Sequence, residues 1–281
     1  MKQQWRYIPS HSYSPAFNMA IDEAIMHEVA AGVSPPTIRF YRWQPATLSI
    51  GYFQSALKEI DLEKVKEKNI GLVRRPTGGR AVLHDQELTY SIILPESYPD
   101  LARSVTESYR MLSLGLVEGF KRLGLQAEMV NLSNKDGENQ LSSLGSAACF
   151  DSPSWYELVV EGQKIAGSAQ VRQKGVVLQH GSVLLNMDVN LLFDLLQFSD
   201  ESKRARMKKG FATKAVAIND LLLQAGLQEI GLDQLEESFE IGMAEGLNVT
   251  FNEGVLTEAE QKRAEQLVNE KYGNDSYTLK K

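Results

Sequence analysis

Cysteine is almost missing from this chain: its 281 residues hold one, Cys149. That count excludes an internal disulfide and any zinc cluster built on cysteine pairs. Histidine is scarce as well, with four residues (His11, His27, His84 and His180) at no metal-ligand spacing. No stretch approaches the run of about 20 apolar residues that spans a bilayer. The opening Met-Lys-Gln-Gln-Trp-Arg-Tyr has no signal-peptide core. Positive charge is in deficit, 30 Lys+Arg against 36 Asp+Glu, which disfavours nucleic acid as the main ligand. Repeats and low-complexity tracts are absent. What remains is ordinary for a globular protein, 43% hydrophobic and 23% charged, and long enough to bury a substantial core. The expectation is a cytoplasmic protein with a reduced thiol, needing no metal or cofactor and having no membrane or nucleic-acid partner.

The pattern along the chain predicts α+β. Ser14-Pro15 can cap and start a helix, followed by Phe17, Ile21, Ala24, Ile25 and Val29 at helical spacing. Strands are predicted over 37–43 and 46–52, a short charged helix over 61–68, and strands over 72–75, 80–83 and 87–94 around a Pro-Thr-Gly-Gly turn. Ser104 to Glu107 is a capping-box pattern before a helix through Leu112, Leu116 and Phe120 to Leu123. Residues 131–146 are polar and predicted to be a mobile loop. Strands follow over 156–160 and 163–170, joined at Glu161-Gly162, and over 176–185. Helices dominate beyond Val189, with a weak strand near 247–251 and a capping box at Thr257 to Glu260 starting the last helix. Strands and helices do not alternate regularly, so mixed or antiparallel sheets packed with helices are expected. The domain parse is one catalytic unit over 1–250 and a helical C-terminal extension of it over 251–281.

Three segments could carry chemistry. The first is Arg74-Arg75-Pro76-Thr77-Gly78-Gly79-Arg80, running on to His84-Asp85. Paired glycines let backbone approach a ligand and present N–H groups to an anion or carbonyl. A hairpin turn with solvated arginines would read the same way, and neither the P-loop nor the dinucleotide spacing is met. The second is Cys149, which follows the polar stretch. A lone cysteine can be a small buried apolar residue, and a nucleophilic one needs a nearby positive charge to stabilise its thiolate. The third is Lys164-Ile165-Ala166-Gly167-Ser168-Ala169. Its lysine could supply that charge or sit on a solvated face, and the small residues after it would leave strand surface open to a ligand. By residue type, His180 reads as a structural hydrogen-bonder and Asp22-Glu23 as a capped or solvated acidic pair.

Taken together, these segments resemble the superfamily of lipoate–protein ligases, octanoyltransferases and biotin-ligase catalytic domains. The pattern of an Arg, a Thr-Gly-Gly turn and a His-Asp appears as Arg75-Pro76-Thr77-Gly78-Gly79 and His84-Asp85. The lysine strand of the family appears at 164–169. Ser14 to Ala20, Gly51 to Gln54 and Gln179 to Ser182 extend the likeness over residues 5–250. Cys149-Phe150-Asp151, ahead of the lysine strand, resembles the LipM-type octanoyltransferases. That resemblance implies octanoyl transfer from acyl carrier protein to a lysine of the glycine cleavage system H protein or another lipoyl domain. It implies Cys149 as the nucleophile that holds the acyl group as a thioester. Lys164 would lower the thiol pKa and polarise the carbonyl. Arg75, Thr77, Gly78, Gly79, His84 and Gly167 would line the acyl pocket. No ATP is required, because thioester exchange is nearly isoenergetic and the final amide is more stable.

The alternatives within the superfamily are an amidotransferase moving lipoyl or octanoyl groups between carrier proteins and an ATP-dependent lipoate–protein ligase. Outside enzymes there is a fatty-acid or carrier-protein sensor. Arg80 stands where the ligases carry a third glycine, and residues 251–281 leave no room for their added C-terminal domain. Both departures favour the transferase.

Overall fold

The computed structural model describes residues 2–131 and 156–280. Cys149, with Phe150 and Asp151, lies outside the described residues, as does the expected polar loop beyond Asn131. Two sheets organise the fold. The larger has eight strands in the order β11-β1-β2-β6-β10-β9-β8-β7. These are β1 (Gln3–Tyr13), β2 (Thr37–Trp43), β6 (Glu87–Pro95), β7 (Glu128–Asn131), β8 (Tyr156–Val160), β9 (Gln163–Gln173), β10 (Val176–Leu184) and β11 (Val249–Glu253). β1 runs parallel to both β2 and β11, and the remaining neighbours are antiparallel. The smaller sheet is β4 (Gly71–Arg74), β3 (Thr47–Ile50) and β5 (Val82–His84), in the order β4-β3-β5. The fold is thus α+β with mixed sheets.

Local chemistry explains most boundaries. Ser14 caps α1 (Pro15–Ala30), its hydroxyl accepting from the Phe17 N–H, and Gly32 leaves the helix at positive φ. Ser104 caps α4 (Val105–Arg122) through the Glu107 N–H. The expected box is only half formed, because the Glu107 side chain accepts from Arg110 and Tyr156 instead. Glu161 and Gly162, both at positive φ, make the tight β8–β9 turn. Thr257 and Glu260 cap α9 (Glu258–Leu267) reciprocally. A π-helical turn (Val268–Tyr272) and α10 (Asp275–Thr278) follow it, so α9 is not the last helix.

Helices cover both faces of the large sheet. α1 and α9 pack on one side, burying Ile21, Ile25, Val29 and Leu267. α4 and α8 (Leu232–Gly246) lie on the other, with α7 (Ile218–Gln224) beside them. A third core joins the small sheet to α5 (Val189–Asp194) and α6 (Glu201–Lys214). Between these last helices and β3 run two short ones, α2 (Ala56–Glu59) and α3 (Leu62–Glu67). Fully buried Arg74 ties this region together. Its guanidinium donates to the carbonyls of Gly51, Tyr52 and Gln54 on one side and of Tyr277, Thr278 and Lys280 on the other.

α4 and α8 meet through glycine. A Cβ on Gly242 would lie 2.3 Å from the Gly119 nitrogen and 2.4 Å from its Cα. Helix propensity alone predicts that Gly242→Ala stabilises by about 1 kcal/mol. Backbone contact predicts the opposite sign, a loss of roughly 2 kcal/mol from overpacking. Thermal denaturation decides between them, and a rise in Tm would mean that the helices do not touch there.

Candidate active site

Between the two sheets lies a narrow pocket of about 30 Å³. Met19 of α1, Tyr41 and Trp43 of β2, and Val82 of β5 give it apolar walls. One flank is the paired segment of β9 and β10 in which Gly167 faces Ser182 and Ser168 faces Gly181. Small residues are required there. A Cβ on Gly181 would stand 2.5 Å from the Gly167 carbonyl oxygen and 2.8 Å from the Tyr90 ring.

Two carboxyl–imidazole–hydroxyl chains frame the pocket. In the first, His84 Nδ1 lies 3.0 Å from Glu87 Oε1, and its Nε2 lies 2.8 Å from Ser49 Oγ. Glu87 also accepts from the hydroxyls of Thr89 (2.5 Å) and Ser182 (2.7 Å). Trp43 stacks on the His84 ring at 4.4 Å between centroids and donates its indole N–H to Thr89. In the second chain, His180 Nδ1 lies 3.4 Å from Asp22 Oδ2 and its Nε2 lies 2.7 Å from Thr77 Oγ1. A carboxylate beside Nδ1 places the ring proton there, leaving Nε2 to accept from the Thr77 hydroxyl.

Asp22 is fully buried and far from the solvated acid its sequence suggests. It accepts from Arg39 at 2.8 Å, from Ser91 at 2.9 Å and from Tyr41 at 3.0 Å. Glu23 is likewise engaged, by Lys271 and Tyr272. Burial alone would raise the Asp22 carboxyl, but His180, Arg39 and Ser91 together outweigh it and hold its pKa below the ordinary value. Burial pushes the His180 imidazole down, against the hydrogen bond and charge of Asp22.

Of the residues expected at the site, Arg75, His84 and Gly167 line the pocket. Arg75 spans the turn, donating to the carbonyls of Ser49, Gly78 and Arg80 and to the Ser49 hydroxyl. Thr77 reaches the pocket through His180. Gly78 and Gly79 sit in the turn behind Arg75, outside the lining. Gly79 adopts φ +96° and its carbonyl oxygen would be 2.0 Å from a Cβ on Gly51, so the turn is pressed against the end of β3. Lys164 stands at the start of β9, outside the lining, with Nζ 3.0 Å from Glu157 Oε1. Arg80 pairs with Glu59 at 2.9 Å. Asp22, Trp43, Ser49, Glu87 and Thr89 escaped the sequence reading, because each is ordinary until the strands bring it to the two histidines.

Beyond Val82, which lines both, the pocket adjoins a larger cleft of about 500 Å³ between β5 with the turn after it and α5–α6. Asp85, Glu87 and Asp188 border it, with no lysine or arginine among its described lining residues. Burial, and then the charges of Asp188 and Glu87, raise the Asp85 carboxyl. Among the described residues no cluster of histidine, cysteine and carboxylates could hold a metal ion, and no helix is long and apolar enough to cross a membrane.

A narrow, apolar-walled pocket flanked by a small-residue strand pair thus sits between the two sheets of an α+β fold. Residues 14–241 match the lipoyl protein ligase A/B catalytic domain, and the chain belongs to that family. Among solved structures it resembles a bipartite lipoate protein ligase from Thermoplasma acidophilum, with TM-score 0.79 and 26% identity over 99% of this chain and 96% of that one. It is also similar to a lipoate-protein ligase A bound with ATP, with TM-score 0.76 and 26% identity over 99% of both chains. Within the family it falls among the LipM octanoyltransferases. It is 55% identical to Octanoyltransferase LipM of Brevibacillus brevis over 99% of this chain and 100% of that protein. For the LipM of Staphylococcus epidermidis the identity is 51% over 100% of both chains, and for that of Bacillus subtilis 48% over 100% and 99%. The protein is therefore an acyltransferase that moves octanoyl groups in lipoate metabolism.

The buried histidine fixes how stability depends on pH. With its folded pKa below the ordinary 6.5, His180 binds a proton less readily than the unfolded chain does. Its contribution is complete above about pH 6.5 and is lost as pH falls from there towards the folded value. Asp22 acts in the same direction in more acidic solution, below its ordinary 3.8. The urea midpoint should fall as pH is lowered from about 7.5 to 5.5. His180→Gln should flatten much of that slope, leaving the smaller share of His27, which burial also lowers. An unchanged slope would mean that His180 is not held neutral.

Proposed function

We propose that the protein takes octanoyl from octanoyl-acyl carrier protein and delivers it to a lysine of a lipoyl-accepting protein, the glycine cleavage system H protein or a similar lipoyl domain. Cys149 carries the acyl group between them. Its thiolate attacks the donor thioester carbonyl, the carbonyl–sulfur bond to the carrier breaks, and the carrier thiol leaves. The acceptor amine then attacks the Cys149 thioester, an amide forms and the Cys149 sulfur is released. The amine proton balances the thiolate. The reaction takes place in the cytosol, where the thiol stays reduced.

The observation that carries this reading over the ATP-dependent one is the chemistry of the cleft beside the acyl pocket. Three carboxyl residues are in its described lining and no lysine or arginine is, the cation at its rim, Lys208, being held on Asn190. A triphosphate or an acyl-adenylate would face like charge there, at a cost of several kcal/mol. A neutral thioester arm faces none. The apolar walls of the pocket suit an acyl chain, whose burial contributes about 0.8 kcal/mol per CH₂. Lys164 is held by Glu157 beside β8. Its role is to keep a positive charge near the thiol and the acyl carbonyl, and residues 132–155, which include Cys149, join β7 to β8 directly ahead of the lysine strand.

The test is intact-mass analysis after mixing the protein with octanoyl-acyl carrier protein in the absence of ATP. One octanoyl group should be added, should be released by hydroxylamine, and should be missing from Cys149→Ser. If the wild type stays unmodified while ATP and free octanoate support transfer, the ligase reading stands in its place. Acylation that begins from octanoyl-H protein alone would select the amidotransferase.

Lys164→Ala should lower the acylation rate by about 100-fold without unfolding the protein. The pH at which half the thiol reacts with a small alkylating reagent should move up. A variant with wild-type rate and thiol reactivity would take Lys164 out of the chemistry.

A further inference from the structure

α6 differs in charge from the rest of the molecule. Six of its fourteen residues are Lys or Arg and one is acidic, in a chain of formal charge −6. Arg204 is neutralised by Asp194 and Glu201. Lys203, Arg206 and Lys209 make no ion pair among the described residues. They follow one another at intervals of three, so their charges repel along one face and oppose the helix. Phe211 is the only fully buried residue of the helix, so packing does not call for these cations.

The position of the helix is as distinctive as its charge. Its C-cap, Ala215, bridges to Lys164, and the Val216 N–H donates to the Lys164 carbonyl at 3.0 Å. Lys208 binds Asn190 on the rim of the acid-lined cleft, and Phe211 forms part of its wall. The cleft ends at Val82, which is also a wall of the acyl pocket. A cationic surface, an uncharged-ligand cleft and an acyl pocket therefore follow one another.

Resting on the donor assigned above, we infer that α6 is the docking surface for an acidic carrier protein, whose phosphopantetheine arm lies along the cleft. The phosphodiester at the root of the arm meets the basic helix. The neutral amides further along donate to the carboxyl groups of Asp85 and Asp188. The thioester reaches the pocket mouth at Val82. Long-range attraction between the helix and an acidic partner would raise the rate of encounter in a salt-sensitive way.

The experiment compares two donors under saturating acceptor, octanoyl-acyl carrier protein and octanoyl-pantetheine, which has no protein and no phosphate. The variant is Lys203→Glu with Arg206→Glu and Lys209→Glu. It should lose roughly 100-fold in kcat/KM for the carrier-bound donor, almost all of it in KM, and keep the wild-type value for octanoyl-pantetheine. Added salt should slow the wild type with the carrier, speed the triple glutamate variant by screening its repulsion, and leave a triple glutamine variant nearly unchanged. The kcat/KM of the glutamine variant should fall between those of the other two. Equal loss with both donors, no loss with either, or a KM increase confined to the acceptor would each overturn the docking surface while leaving the transfer reaction intact. A wild type that accepts octanoyl-pantetheine but never the carrier protein would overturn the donor reading and the docking surface together.

Discussion

Everything around the pocket hangs on the buried carboxylate of Asp22. It lies in α1 and receives Arg39 and Tyr41 from β2, Ser91 from β6 and His180 from β10. Three consecutive strands of the central sheet are thereby pinned to one helix at a single point. Isolated, such a charge would cost several kcal/mol to bury, and only a full set of partners makes it tolerable. That requirement fixes register more sharply than apolar packing could. Slipping any of the three strands by one residue would turn its partner away and leave the carboxylate short of a donor. The same carboxylate orients His180, and through it Thr77, so the scaffold and the Gly-Gly turn share one anchor.

The pocket and the cleft beside it divide the substrate by polarity. The pocket has aromatic and aliphatic walls, and its polar lining is committed elsewhere, the histidines to their chains and Arg75 to Ser49 and the carbonyls of Gly78 and Arg80. The cleft tolerates hydrogen-bond donors and disfavours anions. The fold is shared with a lipoate-protein ligase A bound with ATP, and here the cleft beside the pocket is lined by Asp85, Glu87 and Asp188.

Much of this was legible in the sequence where a residue's neighbours in the chain determine its state. Ser14 and Thr257 cap helices, β2 spans 37–43, and the Glu161-Gly162 hairpin forms, because caps and tight turns are local. The N-terminal strand β1 went unread. Gln-Gln-Trp-Arg-Tyr-Ile-Pro has no clean alternation, and its pairing with β11 spans some 246 residues. Asp22 looked like surface for a similar reason: its partners Arg39, Ser91 and His180 are 17, 69 and 158 residues away. The Thr-Gly-Gly and Lys-Ile-Ala-Gly motifs pointed to the right family, yet not to which of their residues touch the pocket, since Gly78 and Gly79 shape the turn from behind. The cationic run of α6 was visible in composition. Its meaning came only from the position of the helix beside Lys164.

The clamp at Arg74 has a bearing on how the molecule is made. Among the described residues its guanidinium has no carboxylate partner and depends on backbone carbonyls from residues 51–54 and 277–280 alike. On a ribosome the first set emerges early and the second only after another two hundred residues. Until then a cation next to the pocket-forming Arg75 lacks half its acceptors and stays hydrated, so the small sheet cannot close around it. β1 waits similarly for β11, with one edge unpaired. Vectorial synthesis therefore delays closure of the Arg74 clamp until residues 277–280 are available, and a nascent fragment lacking them leaves the guanidinium without the carbonyls of Tyr277, Thr278 and Lys280.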